Sequence, residues 1–276
     1  MRVLTPASEV PSGETVQAGA RASTRAKALI SALAAALLLA GCGTAPSAPV
    51  AAPPASAAPA GAVSAIGASC PAWLGAQQRG EGRLYRVDAA ASQVRLHVFR
   101  AGRLAKAGHN HVIGVERLGG QVFVPADGIA GAGLDLAFRV DELVIDQAEW
   151  RAALGPEFAS TPSASDIAGT RTNLLRAVDG ERFPVVTMRG TAVAGAFPLL
   201  VVKLSIDWHG RTRELELPVR VVRPSGESPL RAQGALILRQ SDFGIAPFSI
   251  LGGLLAIQDE ISVDVDIAAR PAAGCE

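Results

Sequence analysis

Ile261-Ser262-Val263-Asp264-Val265-Asp266-Ile267 closes a stretch that opens at Leu236-Ile237-Leu238-Arg239-Gln240 and passes through Ser241-Asp242-Phe243-Gly244-Ile245. Apolar and acidic residues alternate at period two, as a strand requires when one of its faces is dry and the other wet. A sheet with one solvated face is antiparallel in most folds. The stretch therefore predicts an antiparallel sheet over an apolar interior.

The same alternation recurs at 84–88, 93–100, 111–116, 121–124, 134–143, 185–192, 199–208, 214–222, 231–239 and 260–268. Parity assigns Val94, Leu96 and Val98 to one face, with Leu134, Leu136, Phe138 and Val140, and with Val202, Leu204, Ile206 and Trp208. Leu215, Leu217, Val219 and Val221 join them; Arg95, Asp135, Arg139, Lys203, Asp207, Glu214, Glu216, Arg220, Asp264 and Asp266 take the opposite face. Long strands and few helices predict an all-β, antiparallel up-and-down barrel, polar outside and aliphatic inside. An outer-membrane barrel needs the reverse arrangement. An immunoglobulin-like sandwich lacks its disulfide and Trp spacing here. A barrel of about eight strands is either filled by its own side chains or holds one slender ligand, and parity fits both.

Alternation stops between Asp146 and Pro184. Trp150 to Leu154 and Ser165 to Val178 read as helical or irregular, with Ser165-Asp166 the expected cap of a short helical insertion through Thr172 to Ala177.

With 26 Lys+Arg against 25 Asp+Glu the chain is close to neutral, which argues against nucleic acid as a partner. The apolar run Leu29 to Ala40 follows Arg21, Arg25 and Lys27 and is short for a membrane span, which takes roughly 20 residues. It reads as the core of a signal peptide, 1–41. Its end, Leu39-Ala40-Gly41-Cys42, resembles a bacterial lipoprotein processing site, implying lipidation of Cys42 and anchoring on a membrane. Gly43 resembles the pattern of lipoproteins sent to the outer membrane. Residues 42–80 read as an Ala/Pro-rich linker, 81–270 as one barrel domain and 271–276 as a tail. Closing the sheet would bring Cys70 and Cys275 to the same rim, where a disulfide would survive in an exported protein. The other reading is two unpaired thiols.

Tyr85-Arg86-Val87-Asp88, the strand Val94-Arg95-Leu96-His97-Val98, Arg182-Phe183-Pro184, Trp208-His209-Gly210 and Ser241-Asp242-Phe243-Gly244-Ile245, in that order, resemble the YceI-like family. The resemblance implies a lipocalin-like barrel that holds an isoprenoid-type lipid, polyprenyl or quinone-like, in its lumen, and a helical insertion ending near Phe183-Pro184 that covers part of the barrel. Val94, Leu96, Val98, Phe138, Ile206 and Trp208 are then the expected lumen contacts, and Arg100, His109 and His111 the rim that meets a polar head; Phe243 and Phe248 read as a covering flap, and the Ser241–Ile245 bend reads equally as a purely structural turn. No catalytic residue and no cofactor are expected.

His109 and His111 in Gly108-His109-Asn110-His111 are two apart and point the same way on an extended segment, which offers an alternative metal- or redox-linked role. Parity puts His97 on the outer face, and His209-Gly210-Arg211-Thr212 reads as a hairpin turn. The spacing around Asn110 does not match an HNH nuclease, and no nucleophile elbow, Walker loop, Cys-X-X-Cys pair or dinucleotide fingerprint occurs. The expectation is a non-catalytic, lipid-anchored binding protein on the periplasmic side of a bacterial envelope. An envelope interaction module with a filled core is the remaining alternative.

Overall fold

Residues 68–275 are described in a computed structural model; the expectations for the signal peptide, Cys42 and most of the linker fall outside them. Among the described residues the strands are β1 (Gly82–Val87), β2 (Gln93–Ala101), β3 (His111–Gly114), β4 (Gly119–Pro125), β5 (Gly133–Arg139), β6 (Val144–Ile145), β7 (Val185–Ala196), β8 (Leu199–Trp208), β9 (Arg211–Val222), β10 (Leu230–Arg239), β11 (Ser249–Ile250) and β12 (Leu255–Pro271). The helices are α1 (Cys70–Gln78), α2 (Ala148–Ala153) and α3 (Ala164–Ala177).

Eight strands in the order β1-β4-β5-β7-β8-β9-β10-β12 close on themselves through antiparallel pairing of β1 with β12. The all-β barrel expected from alternation is therefore present. Closure is short, resting on Tyr85, Arg86 and Val87 against Pro271, Arg270 and Ala269. Further along the same edge, β12 pairs instead with β2, which leads to β3 and β6. The sheet thus forks between β1 and β2, and Ser92 holds the fork by donating from Oγ to the Asp88 carbonyl and accepting from the Ala268 N–H.

A second thin seam lies between β9 and β10, which pair over Val219–Val222 and Arg231–Gly234 alone. Pro218 has no N–H to continue the ladder, and a Cβ on Gly234 would sit 2.3 Å from the Pro218 carbonyl oxygen. Beyond this point the turn Ser241–Phe243 fills the wedge: Phe243 and Ile245 are fully buried, and the Phe243 carbonyl accepts from His209 Nδ1 at 3.0 Å. Gly244 takes the left-handed conformation (φ 72°) that completes the turn without side-chain strain.

Several boundaries differ from expectation; among the strands, the one expected over 134–143 ends at Arg139, where a single turn Val140–Glu142 intervenes before β6. The segment read as linker is helical from Cys70 to Gln78, and that helix docks on the barrel: Trp73 stacks on Phe123 with ring centroids 6.3 Å apart, and Ser69 N–H donates to the buried Asp135. The expected tail begins inside β12, and Cys275 is bonded to Cys70 across a separation of 205 residues. β12 runs well upstream of 260 because an irregular register between Ile257 and Ile261 resets the alternation. Ser163, rather than Ser165, caps α3: it forms a reciprocal capping box with Asp166, three residues on, the spacing this motif needs. Parity puts Asp135 and His97 outside, as expected, yet both are buried. α1 covers the first, and Phe158, edge-on at 6.0 Å, covers the second.

Candidate functional site

The inner faces of the eight strands do not meet in a solid core. They enclose a cavity of about 180 Å³, larger than the roughly 150 Å³ apolar cavities that stay dry and take up small apolar guests. No charged side chain lines it; its walls are Val, Leu, Ile, Phe, Ala, Gly, Met and Trp. Val94, Leu134, Leu136, Phe138, Met188 and Val265 point inward yet stay only partly buried, as expected for side chains facing open space. Along β8 the lining runs from Leu200 to Trp208, roughly 27 Å of strand. The cavity is a slot along the barrel, long relative to its volume.

At the Trp208 end, α3 covers the barrel beside the branch β2–β3–β6. A second cavity of about 130 Å³ lies there, bordered by Thr170, Asn173, Leu174, Ala177 and Val178 on the helical side and by Leu96, Val98, His111, Ile113, Phe248 and Ile257 opposite. Leu96 and Trp208 border both cavities. Of the expected contacts, Val94, Leu96, Phe138, Ile206 and Trp208 line the lumen, and Val98, His111 and Phe248 line the second cavity.

Three expected contacts belong elsewhere. Arg100 turns to the Gly108 carbonyl and to Glu157, 3.5 Å away, and borders neither cavity. His109 shares a hydrogen bond with Ser160 Oγ at 3.1 Å on the outer surface. Phe243 is the wedge between β9 and β10, packed on Trp208 with centroids 5.4 Å apart, not a flap over the lumen. Among the described residues no group of three or more His, Cys, Asp or Glu side chains is placed to hold an ion.

No protein-family model matches the chain, and no curated protein matches it. Among solved structures it is similar to BcnA of Burkholderia cenocepacia, with 14% identity over 66% of this chain and 98% of that one and a TM-score of 0.48. It is similar also to a polyisoprenoid binding domain from Saccharophagus degradans implicated in plant cell wall breakdown, with 14% identity, 68% and 98% coverage and a TM-score of 0.45. A YCEI protein of Campylobacter jejuni follows at 12% identity, 57% and 83% coverage and a TM-score of 0.41. Identity is low throughout.

The mouth is organised by residues that alternation did not reveal. Asp146 adopts a left-handed backbone (φ 54°), a conformation Asp tolerates better than most residues, and its carboxylate is fully buried. It accepts from His111 Nδ1 at 2.6 Å, Val112 N–H at 2.9 Å and Arg151 Nη1 at 2.6 Å. Burial by itself pushes the Asp146 carboxyl up; the hydrogen bonds from His111, Val112 and Arg151 outweigh it and hold the group below the usual carboxylate range. Arg151, also buried, donates to the carbonyls of Asn110 and Ser160. Asn110 in turn accepts from Arg100 N–H and donates to the Glu157 carbonyl. The two histidines and the asparagine between them are thus locked, each by a different partner.

Proposed function

We propose that this chain is a non-catalytic carrier that holds one amphiphilic isoprenoid lipid in the barrel lumen, anchored through an acylated Cys42 on the periplasmic side of a bacterial envelope. One observation carries the reading: a long lumen walled by apolar side chains without a single charge. A site with no ionisable group facing it offers nothing to a polar substrate but suits a hydrocarbon tail. Each methylene moved from water into it contributes about 0.8 kcal/mol. The sequence resemblance to the YceI-like family points to the same ligand class, and the pattern at Gly43 supports the outer membrane as the place of anchoring.

Native mass spectrometry of the full chain purified from membranes, followed by organic extraction, tests this directly. One prenyl lipid per chain, together with acyl mass on Cys42, is the expected result. A chain that carries neither lipid nor acyl group would instead be an interaction module, and the carrier reading would fall.

A further inference from the structure

The lumen is apolar throughout, whereas the second cavity, which shares Leu96 and Trp208 with it, adds His111, Thr170, Asn173 and Gln240 to its walls. The proton on His111 can be placed. An ionised Asp146 only accepts hydrogen bonds, so the nitrogen 2.6 Å from it, Nδ1, is the one that donates. A ring carrying that single proton presents a lone pair on Nε2, with which no protein group pairs among the described residues. Trp208, which borders both cavities, adds a second feature: its indole N–H is buried with no hydrogen-bond partner. The two side chains that carry this acceptor and this donor border one small cavity. A hydroxyl group, which donates and accepts through one oxygen, satisfies both; a carbonyl would leave Nε2 unmatched, and a bare hydrocarbon would leave both.

We propose that the second cavity seats the hydroxyl head, alcohol or phenol, of a lipid whose tail lies in the lumen, with His111 Nε2 accepting and Trp208 Nε1 donating. This rests on the carrier reading, and the experiment separates the two. Delipidated full chain is offered equal amounts of geranylgeraniol and the hydrocarbon of the same skeleton without the hydroxyl, and uptake is read by native mass spectrometry. The wild-type chain should prefer the alcohol by about tenfold. His111→Phe should erase that preference while leaving hydrocarbon uptake unchanged. Ala177→Leu, which fills the second cavity from α3 without touching the His111–Asp146 pair, should do the same if His111→Phe fails to fold. Equal uptake by the wild type, or a preference that survives both substitutions, overturns the head-group site and leaves the lumen reading standing. Uptake of neither compound overturns the lumen reading, and the head-group site with it.

A separate observation concerns the surface. Four of the exposed large apolar side chains, Leu104, Ile250, Leu251 and Leu254, lie on two loops joined by the hydrogen bond from Leu104 N–H to the Leu254 carbonyl. Arg103 and Lys106 are exposed beside them, and neither 99–109 nor 246–257 contains an acidic residue. Exposed aliphatic side chains with two exposed cations on the adjoining loop match an anionic bilayer, where the apolar side chains enter the interface and the cations meet headgroups. We infer that this tip docks on anionic phospholipid. The test uses the full chain carrying Cys42→Ser, so that no acyl chain contributes, floated with vesicles of phosphatidylglycerol or of phosphatidylcholine. Binding to the first should fall about tenfold with Ile250→Ser/Leu251→Ser, and roughly fivefold per cation with Arg103→Gln or Lys106→Gln. Absence of vesicle binding, equal binding by the variants, or a tip that instead joins two copies of the chain overturns the inference.

Discussion

Asp146→Ala should lower the unfolding free energy by about 3 to 5 kcal/mol, because it leaves the Arg151 guanidinium buried without its counter-charge. Arg151 Nη1 lies 2.6 Å from the Asp146 carboxylate, and the two side chains are 5% and 0% exposed. The same substitution orphans the Val112 N–H and releases His111 Nδ1. Urea denaturation of the single variant, of Arg151→Met and of the double variant separates the pair from its neighbours. If the buried charge is what costs stability, the double variant should recover much of the loss. A double variant as unstable as the sum of the two singles would show that the two groups act independently. The pH dependence has a definite sign. The Asp146 carboxyl is held below its usual range in the folded chain, so its contribution is complete above the pKa of the unfolded group, about 4. That contribution is lost as the pH falls through the lower folded value. Acid unfolding of the wild type should show this loss, and Asp146→Ala should lack it.

Cys70→Ser should cost between about 2 and 5 kcal/mol, with a fall in melting temperature of roughly 5 to 20 °C. The loop that the bond closes spans 205 residues, near the upper end of what chain entropy supplies. The bond also sits beside the thin β1–β12 closure, where Ala272 N–H donates to the Leu84 carbonyl and Gln77 bridges Leu84 N–H and the Ala272 carbonyl. Calorimetry of oxidised and reduced chain measures the loss. Lipid retention should change far less than stability, since neither cysteine borders a cavity. Loss of lipid without loss of stability would reverse that ranking.

The lumen was legible because its walls are strands: period two places Val94, Leu96, Phe138, Ile206 and Trp208 on one face whatever the rest of the chain does. The mouth was not, because it depends on returns from far along the chain. Parity sends His97 outward correctly and cannot know that Phe158 comes back to cover it. Asp146 shows no periodicity, and its partners stand at His111, Val112 and Arg151; the faint signal was a single acidic residue after Val144-Ile145 with an arginine five positions on. Phe243 looked like a flap because a Ser-Asp-Phe-Gly turn ends a strand in any setting. Its task as a wedge follows from Pro218, a residue on another strand that stops the β9–β10 ladder.

Both thin seams, β1 with β12 and β9 with β10, are zipped at the rim that carries the disulfide and come apart toward α3. The barrel therefore has the mechanics of a drawstring pouch, stiff at the tied end and compliant at the open one. On the carrier reading, guests of different girth would be met by spreading the compliant rim, at the cost of side-chain contacts with α3 and Phe243, while the hydrogen-bonded ladder at the tied rim stays whole.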